Sequence, residues 1–289
     1  MKQLLILSGK GGTGKTTVAS AFIRLADANA YADCDVDAPN LHLITGWHTQ
    51  PERTDYYGLP KAAINTELCI RCGLCRQHCR FDAIEAESHY RADPFACEGC
   101  GVCAYVCPAG AITLQPAAAG ELMLYADSKT VFSTAQLKMG SGTSGMLVTE
   151  VKKQVKSAAA ELAIIDGSPG IGCPVIASLS GVDMVLIVAE PSVSGISDME
   201  RIVDTAAKFG TKTAICINKF DTNIRNTEKI EAFCKKQRLP FVGRIPFDAE
   251  AVKIINRGQT IADTDCASGT AAKAVYRKTM ALLFEKGGD

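Results

Sequence analysis

Gly9-Lys10-Gly11-Gly12-Thr13-Gly14-Lys15-Thr16-Thr17 is the stretch that organises the chain. The apolar run Leu4-Leu5-Ile6-Leu7 precedes it, and a helical pattern from Val18 to Leu25 follows. Strand, glycine loop and helix, in that order, form the context in which G-x-x-x-x-G-K-[ST] binds a nucleotide phosphate. Its glycines let backbone N–H groups converge on an anion, and the helix N-terminus adds a partial positive charge. Lys15 is expected to reach the β- and γ-phosphates of ATP or ADP. The Thr16 hydroxyl is expected to sit on Mg²⁺.

Three acids alternate in Asp33-Cys34-Asp35-Val36-Asp37, at the end of a short strand led by Ala28 to Ala32. Near a Mg–nucleotide, one acid can hold a metal-bound water and another can orient the attacking water. A polar loop closed by Asx turns is the plainer alternative. Further on, Ala163-Ile164-Ile165-Asp166-Gly167-Ser168-Pro169-Gly170 reads as a buried strand ending in an acid and a glycine turn. Asp166 is expected to complete the Mg²⁺ shell, and the Gly170 N–H to sense a γ-phosphate. Asn218 lies in Asn218-Lys219-Phe220-Asp221, an N-K-x-D pattern whose amide could pair with a purine edge.

The chain has 289 residues, 47% apolar and 21% charged, with a formal net charge of zero. That composition suits a globular α/β protein and gives no overall steering towards nucleic acid. No apolar run approaches the roughly 18–20 residues that span a bilayer, and the N-terminus lacks the signal-peptide layout. The expected location is cytoplasmic. Thirteen cysteines there argue against disulfides, so their spacing must account for them.

Two copies of one pattern supply that account: Cys69-x₂-Cys72-x₂-Cys75-x₃-Cys79, then Cys97-x₂-Cys100-x₂-Cys103-x₃-Cys107-Pro108, 28 residues apart at every cysteine. The spacing is that of bacterial two-cluster ferredoxins, where the fourth cysteine of each run serves the other cluster. One 4Fe–4S cluster would use Cys69, Cys72, Cys75 and Cys107. The second would use Cys97, Cys100, Cys103 and Cys79. Cys₄ zinc is the alternative, although zinc needs only two C-x₂-C pairs and leaves the third cysteine of each run idle. Cys34, Cys216, Cys234 and Cys266 have no ligand spacing and read as structural.

The rest reads more coarsely. Residues 46–64 are a connection and 116–120 a junction. Leu122–Tyr125, Val131–Leu137, Met184–Ala189, Ala214–Ile217 and Val242–Ile245 are strands. Val148 to Leu162 and Ala271 to Lys286 are helices, and Gly140 to Gly145 is a polar loop. Ala83-Ile84 and Ala111-Ile112 follow the cysteine runs at one offset and supply short strands or core contacts.

Lys10, second in the glycine loop, makes the stretch resemble the deviant Walker A of the MinD/ParA/Mrp/nitrogenase-iron-protein class. Asp33-x-Asp35, Asp166-x-x-Pro169-Gly170 and Asn218 resemble that class's further motifs. The chain looks like the MinD-superfamily ATPases that carry an inserted ferredoxin domain. The resemblance implies a discontinuous P-loop ATPase domain, 1–60 and 117–289, with a mostly parallel sheet. It also implies a small α+β ferredoxin-like insert at 61–116. Members dimerise around two ATP molecules, and the signature lysine, here Lys10, reaches the phosphates of the other subunit. The water-orienting acid falls on Asp35. Cys173, seven positions after Asp166, resembles the offset of a cluster ligand in the nitrogenase iron protein. It reads as an extra thiol ligand, a transient cluster site or a small buried residue.

Three functions follow. One is an ATPase dimer, homo- or heteromeric, that couples its nucleotide state to electron transfer towards a redox acceptor. Another is a maturation ATPase that carries a cluster or metal to an acceptor protein. The third is a positional switch. None needs nucleic acid or a membrane span.

Overall fold

The computed structural model describes residues 1–285 apart from His48 and Ser157. Lys286, the last residue of the expected C-terminal helix, lies outside the described residues. The apolar run before the glycine loop forms β1 (Lys2–Leu7), and the pattern after it forms α1 (Lys15–Ala26). The chain continues through β2 (Ala30–Asp33), β3 (Glu52–Tyr57) and β4 (Lys61–Ile64). The cysteine-rich stretch holds α2 (Leu74–Gln77), β5 (Ile84–Ala86), β6 (Tyr90–Ala92), α3 (Val102–Tyr105) and β7 (Ile112–Gln115). Then come β8 (Ala118–Ala126), β9 (Val131–Leu137), α4 (Ser144–Lys156), β10 (Leu162–Asp166), α5 (Cys173–Leu179) and β11 (Met184–Ala189). The last part is α6 (Val193–Lys208), β12 (Lys212–Asn218), α7 (Ile224–Gln237), β13 (Phe241–Ile245), α8 (Ala249–Asn256) and α9 (Ala267–Phe284).

A nine-stranded sheet runs in the order β13-β12-β11-β1-β10-β2-β9-β8-β3. Every pairing from β13 to β9 is parallel, and β8 and β3 add an antiparallel edge. The strands carry apolar residues towards both faces, as sheets covered by helices on each side require. Leu5 and Leu7 pack on one face with residues of α4, α5, α6 and α7. Leu4 and Ile6 pack on the other with residues of α1 and α9. The loops after β1, β2, β10 and β12 meet at the carboxyl ends of parallel strands, where ligands bind in such sheets.

Three segments differ from expectation. Residues 46–64 hold two strands, not only a connection. In β3, Glu-Arg-Thr-Asp-Tyr-Tyr, only Tyr56 is buried, so an edge strand lacks the apolar alternation that would reveal it. The junction at 116–120 is partly strand, because β8 starts at Ala118 to pair with Tyr57. The helix expected to reach Leu162 ends at Lys156, because β10 needs Leu162 as the partner of Lys2.

Strands β4 and β7 pair antiparallel, as do β5 and β6, in two small sheets separate from the large one. The stretch between β3 and β8 therefore leaves and rejoins the main sheet through adjacent strands. Its buried centre is small: Cys75, Ile84 and Ile112, flanked by Ala62, Ile64, Tyr90 and Ala92.

Candidate functional site

Between β1 and α1 the loop makes the left-handed turns that only glycine takes without strain, at Gly12 (φ 78°) and Gly14 (φ 90°). A side-chain carbon at Gly14 would lie 2.2 Å from Asn218 Nδ2, and one at Gly9 would lie 2.2 Å from Asp198 Cβ. At Gly11 and Gly12 the same carbon would meet nothing within 4 Å, so that side of the loop is open. Among the described residues, the buried Thr13 Oγ1 has no hydrogen-bond partner. Glycine turns, an open face, an orphaned hydroxyl and a helix starting at Lys15 fit a nucleotide phosphate.

Lys15 and Asp166 meet below this loop. Lys15 Nζ lies 2.6 Å from Asp166 Oδ1, and Thr16 Oγ1 donates to Asp166 Oδ2 at 2.7 Å. Thr17, the last residue of the motif, accepts at its carbonyl from Ser20 Oγ. Burial disfavours the Lys15 charge, but Asp166, and then Asp33, outweigh it and hold its pKa above the usual lysine value. Asp33 pairs in register with Asp166 across β2 and β10. Its carboxylate accepts from the backbone N–H groups of Asp35, Asn40 and Leu41, so it shapes the turn that presents Asp35. Burial pushes the Asp35 carboxyl up, against the pull of Lys15. Thr16, Asp35 and Asp166 are thus gathered around Lys15, a donor set that fits a hard, oxygen-liganded cation such as Mg²⁺.

Other singled-out residues have partners the sequence did not reveal. Lys10 Nζ lies 2.8 Å from Glu190 Oε2 and donates to Ser192 Oγ at 3.0 Å, both at the entry to α6. The Gly170 N–H donates to the Ser8 carbonyl at 3.0 Å, which ties that turn to the end of β1. Asn218 Nδ2 donates to the Thr13 carbonyl at 2.6 Å, so this amide braces the phosphate loop. Beside it a cleft opens between Gly12, Thr17, Lys219, Pro246, Phe247 and Ile255.

The eight motif cysteines separate into two groups. Cys69, Cys72, Cys75 and Cys107 line one cavity, and Cys79, Cys97, Cys100 and Cys103 line another. Among the described residues, no three His, Cys, Asp or Glu side chains converge as ligands of a single ion would. Burial pushes the Cys75 and Cys103 thiols up, and the neighbouring cysteines of each group add to this. Two bonds recur in the repeat: Ala83 N–H donates to Cys79 Sγ and Ala111 N–H to Cys107 Sγ, both at 3.4 Å. Four cysteines and a backbone N–H···S bond around each cavity fit an iron–sulfur centre.

The second cavity is the one against the large domain. Lys61 Nζ donates to the Cys97 carbonyl. A side-chain carbon at Gly99 would lie 2.2 Å from the Pro60 carbonyl oxygen, and one at Gly142 would lie 2.8 Å from Glu98 Oε2. Gly142 belongs to the loop that leads into α4. At the start of α4, a carbon at Gly145 would lie 3.1 Å from the Cys173 carbonyl oxygen. Cys173 itself is exposed, the first residue of α5, so it is not a small core residue. Cys34, Cys216 and Cys234 are buried, and Cys266 caps α9 by accepting from the Gly269 N–H. Lys152, absent from the sequence reading, is 5% exposed. It donates to the carbonyls of Ala177, Ser178 and Ser180 at 3.1, 2.5 and 2.7 Å, clasping the end of α5 to α4. A lone lysine inside an amphipathic helix gives no sequence signal for such a role.

A family model described as the CobQ/CobB/MinD/ParA nucleotide binding domain matches residues 4–261. An uncharacterized protein of Methanocaldococcus jannaschii, MJ0578, is 32% identical over 283 residues, covering 96% of this chain and 95% of its own. The septum site-determining protein MinD of Helicobacter pylori is 32% identical over 134 residues, 43% of this chain and 49% of that one. The solved structure of Pyrococcus horikoshii MinD with Mg-ADP superposes with a TM-score of 0.60 at 16% identity, covering 98% of this chain and 97% of that one. Among the described residues no helix is long and apolar enough to cross a membrane.

Proposed function

The chain belongs to the CobQ/CobB/MinD/ParA nucleotide-binding family, and from that premise we propose an ATPase whose nucleotide state governs electron transfer through two 4Fe–4S clusters. The observation that carries this reading is the sorting of eight cysteines into two groups of four, with the last cysteine of each run exchanged between them. A ferredoxin-like insert at 61–116 in a P-loop domain of 1–60 and 117–289 is part of the proposal. Cys69, Cys72, Cys75 and Cys107 would hold one cluster, and Cys97, Cys100, Cys103 and Cys79 the other. When bound, such clusters supply one-electron chemistry.

The remaining roles belong to the chain's own residues. The loop from Gly9 to Thr17 wraps the phosphates of ATP or ADP. Lys15 neutralises them, and Thr16 with Asp166 and Asp35 holds Mg²⁺. Asp35 orients the attacking water, Asn218 flanks the base cleft, and Gly170 reports on the γ-phosphate by exchanging its bond to Ser8. Lys10 acts across a homodimer, or a heterodimer with a related ATPase, by leaving Glu190 for the partner's phosphates. Movement of α5 after the Gly170 turn reaches the insert through α4: Lys152 and Gly145 fix α4 to α5, and Gly142 lies under Glu98, next to Cys97. Nucleotide then matters to a redox acceptor because the two dimer states present the insert differently.

One observation favours a second reading, a carrier that passes a cluster to an acceptor: Cys173 is exposed where the α5 turn starts. Similarity to MinD proteins is what supports a positional switch. Anaerobic purification with iron and sulfide counts, then EPR with and without ATP, separates the three. The electron-transfer reading expects about eight irons and eight sulfides per chain, reducible centres and spectra that respond to ATP. Iron-free or zinc-loaded protein sinks it. Loss of iron to an apo acceptor, abolished by Cys173→Ser, establishes the carrier instead.

A further inference from the structure

The turn after β12 grips the phosphate loop by its backbone. Asn218 and Lys219 are neighbours in sequence, and each donates to a carbonyl of that loop. Asn218 Nδ2 reaches the Thr13 carbonyl at 2.6 Å, and Lys219 Nζ reaches the Gly12 carbonyl at 2.7 Å. A trans peptide unit is planar, so its N–H points opposite to its C=O. The Gly12 carbonyl shares a unit with the Thr13 N–H, and the Thr13 carbonyl shares one with the Gly14 N–H. Two adjacent side chains therefore set the direction of two successive N–H groups, both turned away from the residues that hold the carbonyls. Among the described residues, no protein group accepts from either N–H. Free N–H groups of this kind are what a glycine loop offers to a phosphate.

Lys219 is itself held in place. Glu190 Oε1 lies 3.6 Å from its Nζ, while Glu190 Oε2 holds Lys10. Asn218 Oδ1 accepts from the Lys219 N–H at 3.0 Å, and Thr222 donates to the Lys219 carbonyl through its N–H and its hydroxyl. The Lys219 backbone is left-handed, with φ of 54°, which strains a lysine. Asp27 and Arg238 share this conformation at the ends of α1 and α7, where it is a customary way to close a helix. Lys219 follows β12 and ends no helix. Strain outside a helix cap, with the ammonium on a loop carbonyl, points to function. The acid of the same turn is committed as well. Asp221 Oδ1 accepts from the Phe247 N–H at 2.8 Å, so it braces a segment of the cleft that Lys219 also lines.

We infer that Lys219 is a positioning residue of the phosphate loop. By holding the Gly12 carbonyl it aims the Thr13 N–H into the phosphate cradle, and it does so without touching the phosphate. This rests on the nucleotide-binding part of the reading above and is independent of its iron–sulfur part. The lysine's hydrogen bond goes to a backbone carbonyl and its charge faces Glu190, so a ligand meets an N–H that is already set.

Competition against a fluorescent ADP analogue supplies the test, with the full chain at fixed Mg²⁺ and with ADP, inorganic pyrophosphate or adenosine as the competitor. Lys219→Met removes the donor. It should weaken ADP and pyrophosphate about tenfold and leave adenosine within about twofold of wild type. Lys219→Arg keeps a cationic donor and should recover most of the loss. Lys219→Gly removes the donor and the strain together, so it should unfold at higher urea than Lys219→Met yet bind ADP no better. Equal weakening of adenosine and pyrophosphate overturns the inference, because it makes Lys219 a wall of the base cleft. Wild-type affinity for ADP in Lys219→Met or Lys219→Gly overturns it too. Both results leave nucleotide binding itself standing. Wild-type protein that binds neither ADP nor pyrophosphate removes the nucleotide reading and this inference with it.

Discussion

The Lys15 ammonium lies 2.6 Å from Asp166 Oδ1, so the lysine proposed to bind phosphate is held by the acid proposed to bind Mg²⁺. Lys15 is 6% exposed and Asp166 fully buried. Removing one partner leaves an uncompensated buried charge beside Asp33. Lys15→Ala should therefore abolish nucleotide binding and also cost about 3 to 5 kcal/mol of stability. Titration with a fluorescent nucleotide and urea unfolding check the two effects separately. Iron content should not change, and loss of iron would show that the two modules are not separate.

Lys10 is partly exposed, and its pairing with Glu190 is worth about 1 kcal/mol or less. Lys10→Ala should retain nucleotide binding and lose hydrolysis. Glu190→Gln should release Lys10 towards a partner subunit and raise turnover by up to about fivefold. Phosphate release measured against protein concentration distinguishes these outcomes. A rate per chain that stays flat with concentration would remove the dimer from the mechanism.

The insert's central cluster is Cys75, Ile84 and Ile112, and its other buried apolar residues are small, Ala83, Cys97 and Ala111. So small a core cannot offset the entropy of ordering the segment around it. If the insert holds iron as proposed, stripping it with a chelator should melt 61–116, fray the β3–β8 edge and leave the rest of the large sheet folded. Hydrogen exchange should show protection lost from β4 to β7 and kept in β1, β10 and β11. Uniform protection after iron removal would contradict this.

Lys152 gives a pH signature. Burial lowers its pKa from 10.5 to about 8, so it remains charged at neutral pH and holds three carbonyls. Between pH 8 and 10.5 the unfolded chain carries the proton that the folded chain has released. Stability from this group therefore rises with pH across that window, by at most about 3 kcal/mol, and is flat below it. Lys152→Met should remove this alkaline rise and, near neutrality, cost about 1 to 3 kcal/mol through unpaired carbonyls. Urea unfolding of both proteins at neutral and alkaline pH supplies the comparison.

What could be read from the sequence was chemistry held in short spacings. The phosphate loop, Asp166 at the end of an apolar strand and the 28-residue cysteine repeat each declare themselves within a few residues. The parallel sheet followed from its buried apolar strands. Edge strand β3 did not, because one buried tyrosine in six residues leaves no period to detect. Nor could the end of α4 be read, since Ala158-Ala159-Ala160 favours helix while pairing with Lys2 requires strand at Leu162. Residue partners far apart in sequence were also hidden: Glu190 for Lys10, Thr13 for Asn218, and the three carbonyls for Lys152. Each depends on tertiary placement that no local pattern encodes.

Strands β3 and β8 run antiparallel, and β4 and β7 leave from their ends as a second antiparallel pair. The cysteine-rich stretch thus stands in the position of a hairpin turn. An unstructured connection of that length would make closing the β3–β8 pair entropically dear, with a cost that grows as the logarithm of the loop. A folded insert whose two ends are already neighbours removes most of that cost. Under the proposed function, loading the thiol cavities would do double duty during biosynthesis, because it would also help zip the outer edge of the large sheet. A chain synthesised without iron would keep its nucleotide loop and leave that edge frayed.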